Sequence, residues 1–324
     1  MQTQTPAAQP HRGRRKLGRP RLLIVGCGDV GLRIVARVHA RYRILALTSS
    51  PARMPALRAA GVVPILGNLD VRASLRRLRG LAPWLIHLAT PPNSGRTDPR
   101  TRRLLAALSG GARKLVYIST TGVYGDHGGA VIDETARLKP ANERAIRRID
   151  AENTMRAAGA CVLRVPGIYA HDRLPLERLR AGTPALRDED DVYTNHIHAD
   201  DLARISLAAL FKGQPGRVYN AVDDAQLKMG EYFDLVADRF GLPRPPRLPR
   251  EQLKAAVSPM VFVHDGVAAV AQCPAQARAW TAPAMASRCK RAGCTSTWQM
   301  NLQIHANFVA RRLNIAASGT HMPR

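Results

Sequence analysis

The stretch Arg21-Leu-Leu-Ile-Val-Gly-Cys-Gly-Asp-Val-Gly-Leu-Arg-Ile-Val35 decides the fold of this chain. Its four apolar residues 22–25 predict a buried parallel strand, and the apolar spacing that follows the glycines predicts a helix. Between them lies a complete G-x-G-x-x-G pattern. In this context the pattern is typical of dinucleotide binding: Gly26 permits a tight turn, Gly28 lets a pyrophosphate approach the backbone, and Gly31 lets the helix pack closely on the strand. The helix N-terminus adds N–H groups and a positive dipole end. The alternative is a glycine-rich turn without a ligand.

Composition places the chain among globular proteins. It has 324 residues, of which 45% are hydrophobic, enough for one large domain or two small ones. No stretch approaches about 18 uncharged apolar residues, so we expect no transmembrane helix and no membrane partner. The five cysteines are scattered and form no C-x-x-C pair. This pattern favours a reducing, cytoplasmic location and predicts no metal site.

The chain is strongly basic, with a formal net charge of +25, which can indicate a nucleic-acid partner. However, the basic residues are mostly arginines spread along the whole chain, and aromatic residues that would stack on bases make up only 5%. We therefore expect no specific nucleic-acid partner, and only nonspecific adsorption of the chain to polyanions at low salt. Residues 1–20 predict a disordered basic arm. A minor alternative is that residues 11–21 bind nucleic acid.

Strand-like and helix-like segments alternate along the first half of the chain. This alternation predicts an α/β fold, a Rossmann doubly wound parallel sheet with a small C-terminal substrate-domain portion. We predict strands at 22–25, 42–47, 62–66, 83–88 and 114–119, and helices at 51–60, 71–78 and 99–109, the last closed by Gly110-Gly111. The predicted divisions are 21–165 for the NAD(P)-binding Rossmann domain, 166–254 for an interleaved substrate-binding portion, and 255–324 for an atypical tail, either disordered or a non-homologous extension.

The end of the predicted second strand bears on the choice of cofactor. NAD-preferring sites place an acidic residue there to bind the ribose hydroxyls, whereas this chain has Ser49, Ser50 and Arg53 and no acid. Hydroxyls and a guanidinium can hold a 2′-phosphate, so the sequence favours NADP, with NAD possible. The alternative is that Arg53 only faces solvent.

Eight short motifs occur in order within residues 21–245. They are Val25-Gly-Cys-Gly-Asp-Val-Gly31, Gly67-Asn-Leu-Asp70, His87-Leu-Ala89, Ile118-Ser-Thr-Thr-Gly-Val-Tyr-Gly125, Asp133-Glu134, Leu163-Arg-Val-Pro-Gly-Ile-Tyr169, Asn195-His-Ile-His-Ala-Asp-Asp-Leu202 and Val218-Tyr-Asn220. Together they resemble an extended or atypical short-chain dehydrogenase/reductase of the NAD-dependent epimerase/dehydratase superfamily, and within it the YeeZ-like branch.

The resemblance implies roles for residues along the cofactor. Those near the pyrophosphate would be Gly26, Gly28, Asp29, Val30 and Gly31; near the adenine, Asn68 and Leu69; beneath the nicotinamide ribose, Leu88, Ala89 and Thr90; and beside the nicotinamide, Ser119 and Thr120. Thr120 falls where relatives keep the catalytic hydroxyl that binds the reacting oxygen. The alternative for Thr120 is a hydroxyl that caps the strand end.

The chain departs from the family pattern at the catalytic helix. Relatives use a Tyr and a Lys four residues later, on one helix face. Alignment on Glu152 places Arg148 at the Lys position and Arg144 at the Tyr position. Arg148 can still bind ribose and phosphate, whereas the guanidinium of Arg144 stays protonated and can only bind an anionic substrate. The alternative is that Arg144, Arg147 and Arg148 form a solvated helix face.

Two tyrosines could replace the missing one. Tyr124 and Tyr169 lie near the substrate in relatives, Tyr169 in the pocket wall, although core packing is the commoner role of such residues. His198, in Asn195-His-Ile-His198, would also shape the substrate pocket, and Asp200 is predicted to cap the following helix.

Two functions therefore compete. The first is an NAD(P)-dependent oxidoreductase or sugar-nucleotide epimerase/dehydratase-like enzyme with a rebuilt proton relay and a small-molecule substrate. The second is a non-catalytic NADP-binding sensor or regulatory protein of the same fold. The resemblance also implies a homodimer.

Overall fold

The computed structural model describes residues 18–109, 111–225, 227–256 and 269–270. Residues 1–17 of the predicted basic arm lie outside these ranges. So does the predicted tail 255–324, except for residues 255–256 and 269–270. Within the described residues, no helix is both long enough and apolar enough to span a membrane.

The described chain contains fifteen strands, most of them short. In chain order they are β1 (Arg21–Val25), β2 (Arg43–Thr48), β3 (Val63–Leu66), β4 (Trp84–His87), β5 (Lys114–Thr120), β6 (Val131–Ile132), β7 (Cys161–Val165), β8 (Gly167–Tyr169), β9 (Ala185–Leu186), β10 (Tyr193–Thr194), β11 (His196–His198), β12 (Val218–Asn220), β13 (Leu227–Lys228), β14 (Arg247–Leu248) and β15 (Ala269–Val270).

Eight α-helices and three 3₁₀ segments connect these strands in the described ranges. The α-helices are α1 (Asp29–Val38), α2 (Met54–Ala59), α3 (Pro99–Leu108), α4 (Glu143–Ala157), α5 (Leu176–Arg180), α6 (Ala199–Lys212), α7 (Met229–Arg239) and α8 (Arg250–Ala256). The 3₁₀ segments are Pro51–Arg53, Arg72–Leu78 and Thr121–Val123.

Seven strands form one central sheet in the order β12-β7-β5-β4-β1-β2-β3. Every pairing in this sheet is parallel. The chain leaves β1 toward β2 and β3 and returns on the other side to β4, so the topological switch point lies between β1 and β4. The predicted α/β Rossmann sheet is confirmed.

Helices cover both faces of the sheet, as its two-sided burial requires. One apolar layer joins the sheet to α1, α2 and α6, through residues such as Ile34, Leu57 and Leu202. The other joins it to the 3₁₀ segment Arg72–Leu78, α3 and α4. Because all strands of the sheet are parallel, their carboxyl ends lie at one edge of the sheet, between these two layers of helices.

The second half of the chain contributes to the sheet and also builds small units beside it. Strand β12 pairs with β7, and α6 packs on the same face as α1. The pairs β8–β11, β9–β14 and β10–β13, with α5 and α7, lie outside the central sheet. Strand β15 pairs in parallel with β6.

The end of α3 differs from the predicted one. The helix stops at Leu108, and Ser109, rather than a glycine, takes the left-handed conformation with φ +48°. Gly110 lies outside the described residues. A side chain with a Cβ is strained in this region, because Cβ approaches the following carbonyl oxygen.

Replacing Ser109 with glycine is therefore expected to raise the free energy of unfolding by about 0.5–1 kcal/mol, since the Cβ penalty exceeds the entropic cost of glycine. Urea denaturation would measure it. Ser109→Ala is the control, because it keeps the Cβ and loses the hydrogen bond from Ser109 Oγ to the Ala106 carbonyl (3.2 Å). A Ser109→Gly protein no more stable than Ser109→Ala would contradict the argument.

Candidate functional site

A cleft of about 290 Å³ lies at the carboxyl ends of the central strands. Its lining comes from the glycine-rich turn, the ends of β2, β3 and β4, and α3. Of the residues predicted to bind a cofactor, those in the lining are Gly26, Ser49, Arg53, Asn68, Leu69, Ala89 and Thr90. Others that line it are Cys27, Thr48, Ser50 and Arg100. Seven predicted residues are thus brought together from four separate segments of the chain.

The glycines of the fingerprint have different surroundings. Gly26 has φ +84°, and a Cβ there would lie 2.5 Å from the Ala89 nitrogen. Gly31 packs on Cys27, whose Sγ would lie 3.1 Å from an added Cβ. A Cβ on Gly28 would meet no atom within 4 Å. Gly26 is therefore required by the fold, Gly31 is tightly packed against the Cys27 side chain, and the space beside Gly28 is open.

The helix that follows these glycines has an uncapped start. Helix α1 begins at Asp29, and its N-cap residue Gly28 has no side chain to bind the first amides. The Asp29 carboxylate pairs with Arg33 (2.9 Å) and Arg173 (3.2 Å) and does not line the cleft. Val30 is buried in the core. The start of α1 can thus receive an anion, because the carboxylate of Asp29 is turned to Arg33 and Arg173 rather than into the cleft.

Arginine dominates the electrostatics of the cleft. Arg53 reaches back to the glycine-rich turn, where its Nη2 donates to the Cys27 carbonyl at 2.8 Å. Arg100 binds Asp70 through two nitrogens, at 2.8 and 2.6 Å, and these bonds hold the pKa of Asp70 below its ordinary value. No carboxylate is among the described lining residues. Arg53 is exposed, but its guanidinium also contacts the turn, so a role in binding a 2′-phosphate stays a prediction.

The predicted nicotinamide end is shaped by β4 and β5. The backbone amides of Leu88 and Ala89 donate to the Val25 carbonyl. Ser119 is buried, and its hydroxyl donates to Glu152 Oε1 at 2.6 Å. Thr120 Oγ1 accepts from the Gly122 amide at 3.2 Å, which is the local capping role weighed as its alternative. This bond leaves the hydroxyl proton of Thr120 unused. In the predicted catalytic role, Thr120 would donate that proton in a hydrogen bond to the reacting oxygen.

The three arginines in the first half of α4 have different environments. Arg148 is 8% exposed, and its Nη1 donates to the Tyr117 hydroxyl (2.9 Å) and the Ile118 carbonyl (3.0 Å). Arg147 is also buried and donates to the Gly95 carbonyl at 2.6 Å. Arg144 is exposed. The solvated-face alternative is therefore wrong for Arg147 and Arg148 and fits Arg144 alone.

Arg148 also influences a buried histidine on β4. Burial, and then the positive charge of Arg148, lower the pKa of His87 to about 3. Its Nε2 lies 3.2 Å from the Thr101 hydroxyl. His87 is therefore neutral at physiological pH and is not available as a general acid there.

Tyr124 lies in the interior. It is 1% exposed, its hydroxyl donates to Asn220 Oδ1 at 2.7 Å, and the Arg164 guanidinium lies 4.8 Å from its ring centre. These contacts favour packing over the predicted catalytic role, because the hydroxyl is already committed within the core.

The predicted pocket residues Tyr169 and His198 do meet. Their rings contact edge to face, with centres 5.3 Å apart. His198 Nδ1 accepts the Asp200 amide at 3.2 Å and thereby caps α6. The predicted cap by Asp200 is wrong, because Asp200 lies inside the first turn and its carboxylate pairs with Arg33 (3.3 Å) and Arg37 (3.0 Å) of α1.

Two residues near Tyr169 were not identified from the sequence. Asp223 and Tyr232 line a small pocket with Tyr169 and His196. Burial raises the pKa of Asp223 to about 7, and burial raises the pKa of Tyr232 to about 12. Asp223 follows the motif Val218-Tyr-Asn220 by three residues, so its closeness to this motif could have identified it as a candidate site residue. No sequence pattern identifies Tyr232, because it lies in a helical segment outside all the motifs.

No group of three or more potential metal ligands occurs among the described residues. The predicted absence of a metal site remains a prediction for the whole chain.

Comparison with known proteins gives structural neighbours but no matching family model. A conserved protein of unknown function from Silicibacter pomeroyi DSS is 29% identical, with a TM-score of 0.65 over 78% of this chain and 89% of that one. UDP-glucose 4-epimerase from Thermotoga maritima is 19% identical, with a TM-score of 0.61 over 71% and 85%. UDP-glucuronic acid 4-epimerase from Bacillus cereus, in complex with NAD, is 18% identical, with a TM-score of 0.60 over 71% and 87%. The chain thus shares a Rossmann-type α/β fold with these two UDP-sugar 4-epimerases.

Proposed function

We propose that this chain is an NADP-preferring, epimerase/dehydratase-like oxidoreductase acting on a small molecule. The observation that carries the proposal is the cleft at the topological switch point, which combines a glycine-rich turn, an uncapped helix start and two arginines with no lining carboxylate among the described residues. Open α/β sheets bind their ligands at such points.

The residues present fit a dinucleotide. The open space beside Gly28 and the uncapped start of α1 suit a pyrophosphate. Asn68 and Leu69 line the cleft where an adenine would lie, and Ser49 and Arg53 line it where a 2′-phosphate would lie. A bound nicotinamide would supply hydride transfer.

The proton chemistry must come from this chain's own residues. Thr120 is the proposed hydroxyl group at the reacting oxygen, because Arg144 cannot release a proton, Tyr124 is buried and Tyr169 bonds to Asp223. Arg148 would act as a fixed positive charge beneath the end of β5, and Arg144 as a contact for an anionic substrate.

The second candidate is an NADP-binding sensor without turnover. It is favoured by Arg144, an exposed arginine at the position predicted for the tyrosine of the related enzymes, because a guanidinium cannot donate the proton that the reaction needs. A screen of carbonyl substrates with NADPH separates the two, since only an enzyme oxidises the cofactor in the presence of one of them.

Gly28→Ala tests dinucleotide binding with little risk to the fold. The added methyl group meets no protein atom within 4 Å, and the φ of −85° is accessible to alanine. It would occupy the space proposed for the pyrophosphate, so we expect NADP(H) affinity to fall at least about tenfold, or ~1.4 kcal/mol. Calorimetric titration measures the affinity, and thermal unfolding should be unchanged. Gly18→Ala, also in open space, is the matched control. Equal affinity in the two variants would refute the proposed site.

Arg53→Ala tests the preference for NADP. Loss of a charge-assisted contact to the 2′-phosphate should weaken NADP about tenfold. The variant also loses the bond to the Cys27 carbonyl, which would affect NAD and NADP alike. The ratio of the two dissociation constants therefore isolates the 2′-phosphate, and an unchanged ratio would argue against NADP preference.

A further inference from the structure

A second, smaller pocket lies among β8, β11 and α7, away from the residues that line the cleft. Five aliphatic side chains and the rings of Tyr169, His196 and Tyr232 form most of its described lining, and Asp223 is the one charged residue there. The His196 and Tyr232 rings stack with centres 4.1 Å apart. The cavity volume is about 30 Å³, room for one small group rather than for a sugar ring.

Asp223 lies near other acidic side chains. The negative charges of Asp224 and Asp201 raise the pKa of Asp223, and Tyr169 forms a hydrogen bond with its carboxylate. The charge of Asp223 in turn raises the pKa of Tyr232. No arginine or lysine lines the pocket or pairs with Asp223 among the described residues. This absence is notable in a chain of net charge +25, whose other site is lined by arginines.

A carboxylate set among aromatic rings is the chemistry that recognises a cation. The carboxylate pairs with the charge, and the aromatic rings add cation–π attraction. An anionic group would be repelled by Asp223, and a neutral hydroxyl would gain only the hydrogen bond.

We propose that this pocket binds a primary ammonium group, with the attached alkyl carbons against the aliphatic wall. The further claim that this ammonium group is part of the substrate rests on the proposed function. In that case, the substrate of the redox or epimerising reaction is a molecule that carries an amine.

Binding of an ammonium group should be accompanied by proton release. Burial raises the pKa of Asp223 to about 7, so the carboxyl is partly protonated at neutral pH. A neighbouring cation favours the ionised form, and the carboxyl proton then passes to the buffer. The release is greatest between the lowered pKa of the complex and the pKa of the free carboxyl, and it vanishes well above pH 7, where Asp223 is already ionised.

The test is calorimetric titration of the full chain with n-butylammonium, 1-butanol and butyrate at pH 7, in two buffers of different ionisation enthalpy. We expect butylammonium to bind at least tenfold more tightly than 1-butanol, with a buffer-dependent heat that reports proton release, and butyrate not to bind. The net positive charge of the chain gives a cation no nonspecific affinity. Equal binding of 1-butanol and butylammonium, or tighter binding of butyrate, would overturn the proposal.

Two variants and a control localise the effect. Asp223→Asn should abolish the preference for butylammonium and the proton release. Asp224→Asn removes the same charge from the neighbouring exposed residue and should retain the preference, with a smaller release because the pKa of Asp223 falls. Tyr232→Leu should weaken butylammonium more than 1-butanol, through the lost cation–π contact. A preference that survives Asp223→Asn would overturn the proposal.

Titrations without dinucleotide keep the two proposals separate. Butylammonium binding by protein that does not bind NADP(H) would support the pocket and overturn only the proposed function. NADP(H) binding without any preference for butylammonium would overturn the pocket alone.

Discussion

Replacing Glu152 with glutamine is expected to lower the free energy of unfolding by about 3–5 kcal/mol, because it leaves a buried arginine without its counter-charge. Glu152 and Arg164 are 1% and 3% exposed, and Arg164 Nη2 lies 2.7 Å from Glu152 Oε2. Ser119 donates to the same carboxylate. Arg164 Nη1 is already buried with no partner among the described residues, so the remaining protein offers no substitute for the lost charge.

Urea denaturation would measure this loss, and α4 itself provides the control. Glu143→Gln is the same substitution on the same helix, at an exposed residue 3.7 Å from Arg147, and should cost less than about 1 kcal/mol. The double variant Glu152→Gln, Arg164→Met removes both charges and should recover part of the loss, since no uncompensated cation remains. If Glu152→Gln and Glu143→Gln have the same stability, the ion pair does not hold α4 on β7.

Replacing Gly26 with alanine is expected to lower the free energy of unfolding by roughly 3 kcal/mol or more, from a left-handed residue and a backbone clash together. Its φ is +84°, and the new Cβ would lie 2.5 Å from the Ala89 nitrogen and 2.8 Å from its Cα. Neither atom can move without breaking the bonds by which residues 88 and 89 join the end of β1.

The comparison with Gly28→Ala makes this prediction specific. The two glycines are two residues apart in one turn, and each variant should lose NADP(H). Only Gly26→Ala should also lose stability, measured by urea denaturation without ligand. A Gly26→Ala protein as stable as Gly28→Ala would show that the turn can relax away from β4.

The sequence was sufficient for the elements but not for the partners of their side chains. The strands and helices around the fingerprint were predictable because apolar spacing and glycines are local signals. Arg148 was predicted to stand in the place of a lysine, but its bonds to Tyr117 and Ile118 depend on how α4 lies across β5. The cap by His198 and the pocket around Asp223 likewise arise from contacts between distant segments, which no local pattern encodes.

The buried guanidinium of Arg148 has a consequence for how the protein responds to acidity. A lysine at this position can lose its proton within the alkaline range, whereas a guanidinium keeps its charge at every pH at which proteins fold. His87, held neutral beside it, adds no charge until strongly acidic conditions. His87 and the guanidinium therefore contribute the same charges at the ends of β4 and β5 throughout the neutral range. Asp223, by contrast, is a carboxyl group whose pKa is raised by burial to about 7, so its charge does respond to pH near neutrality.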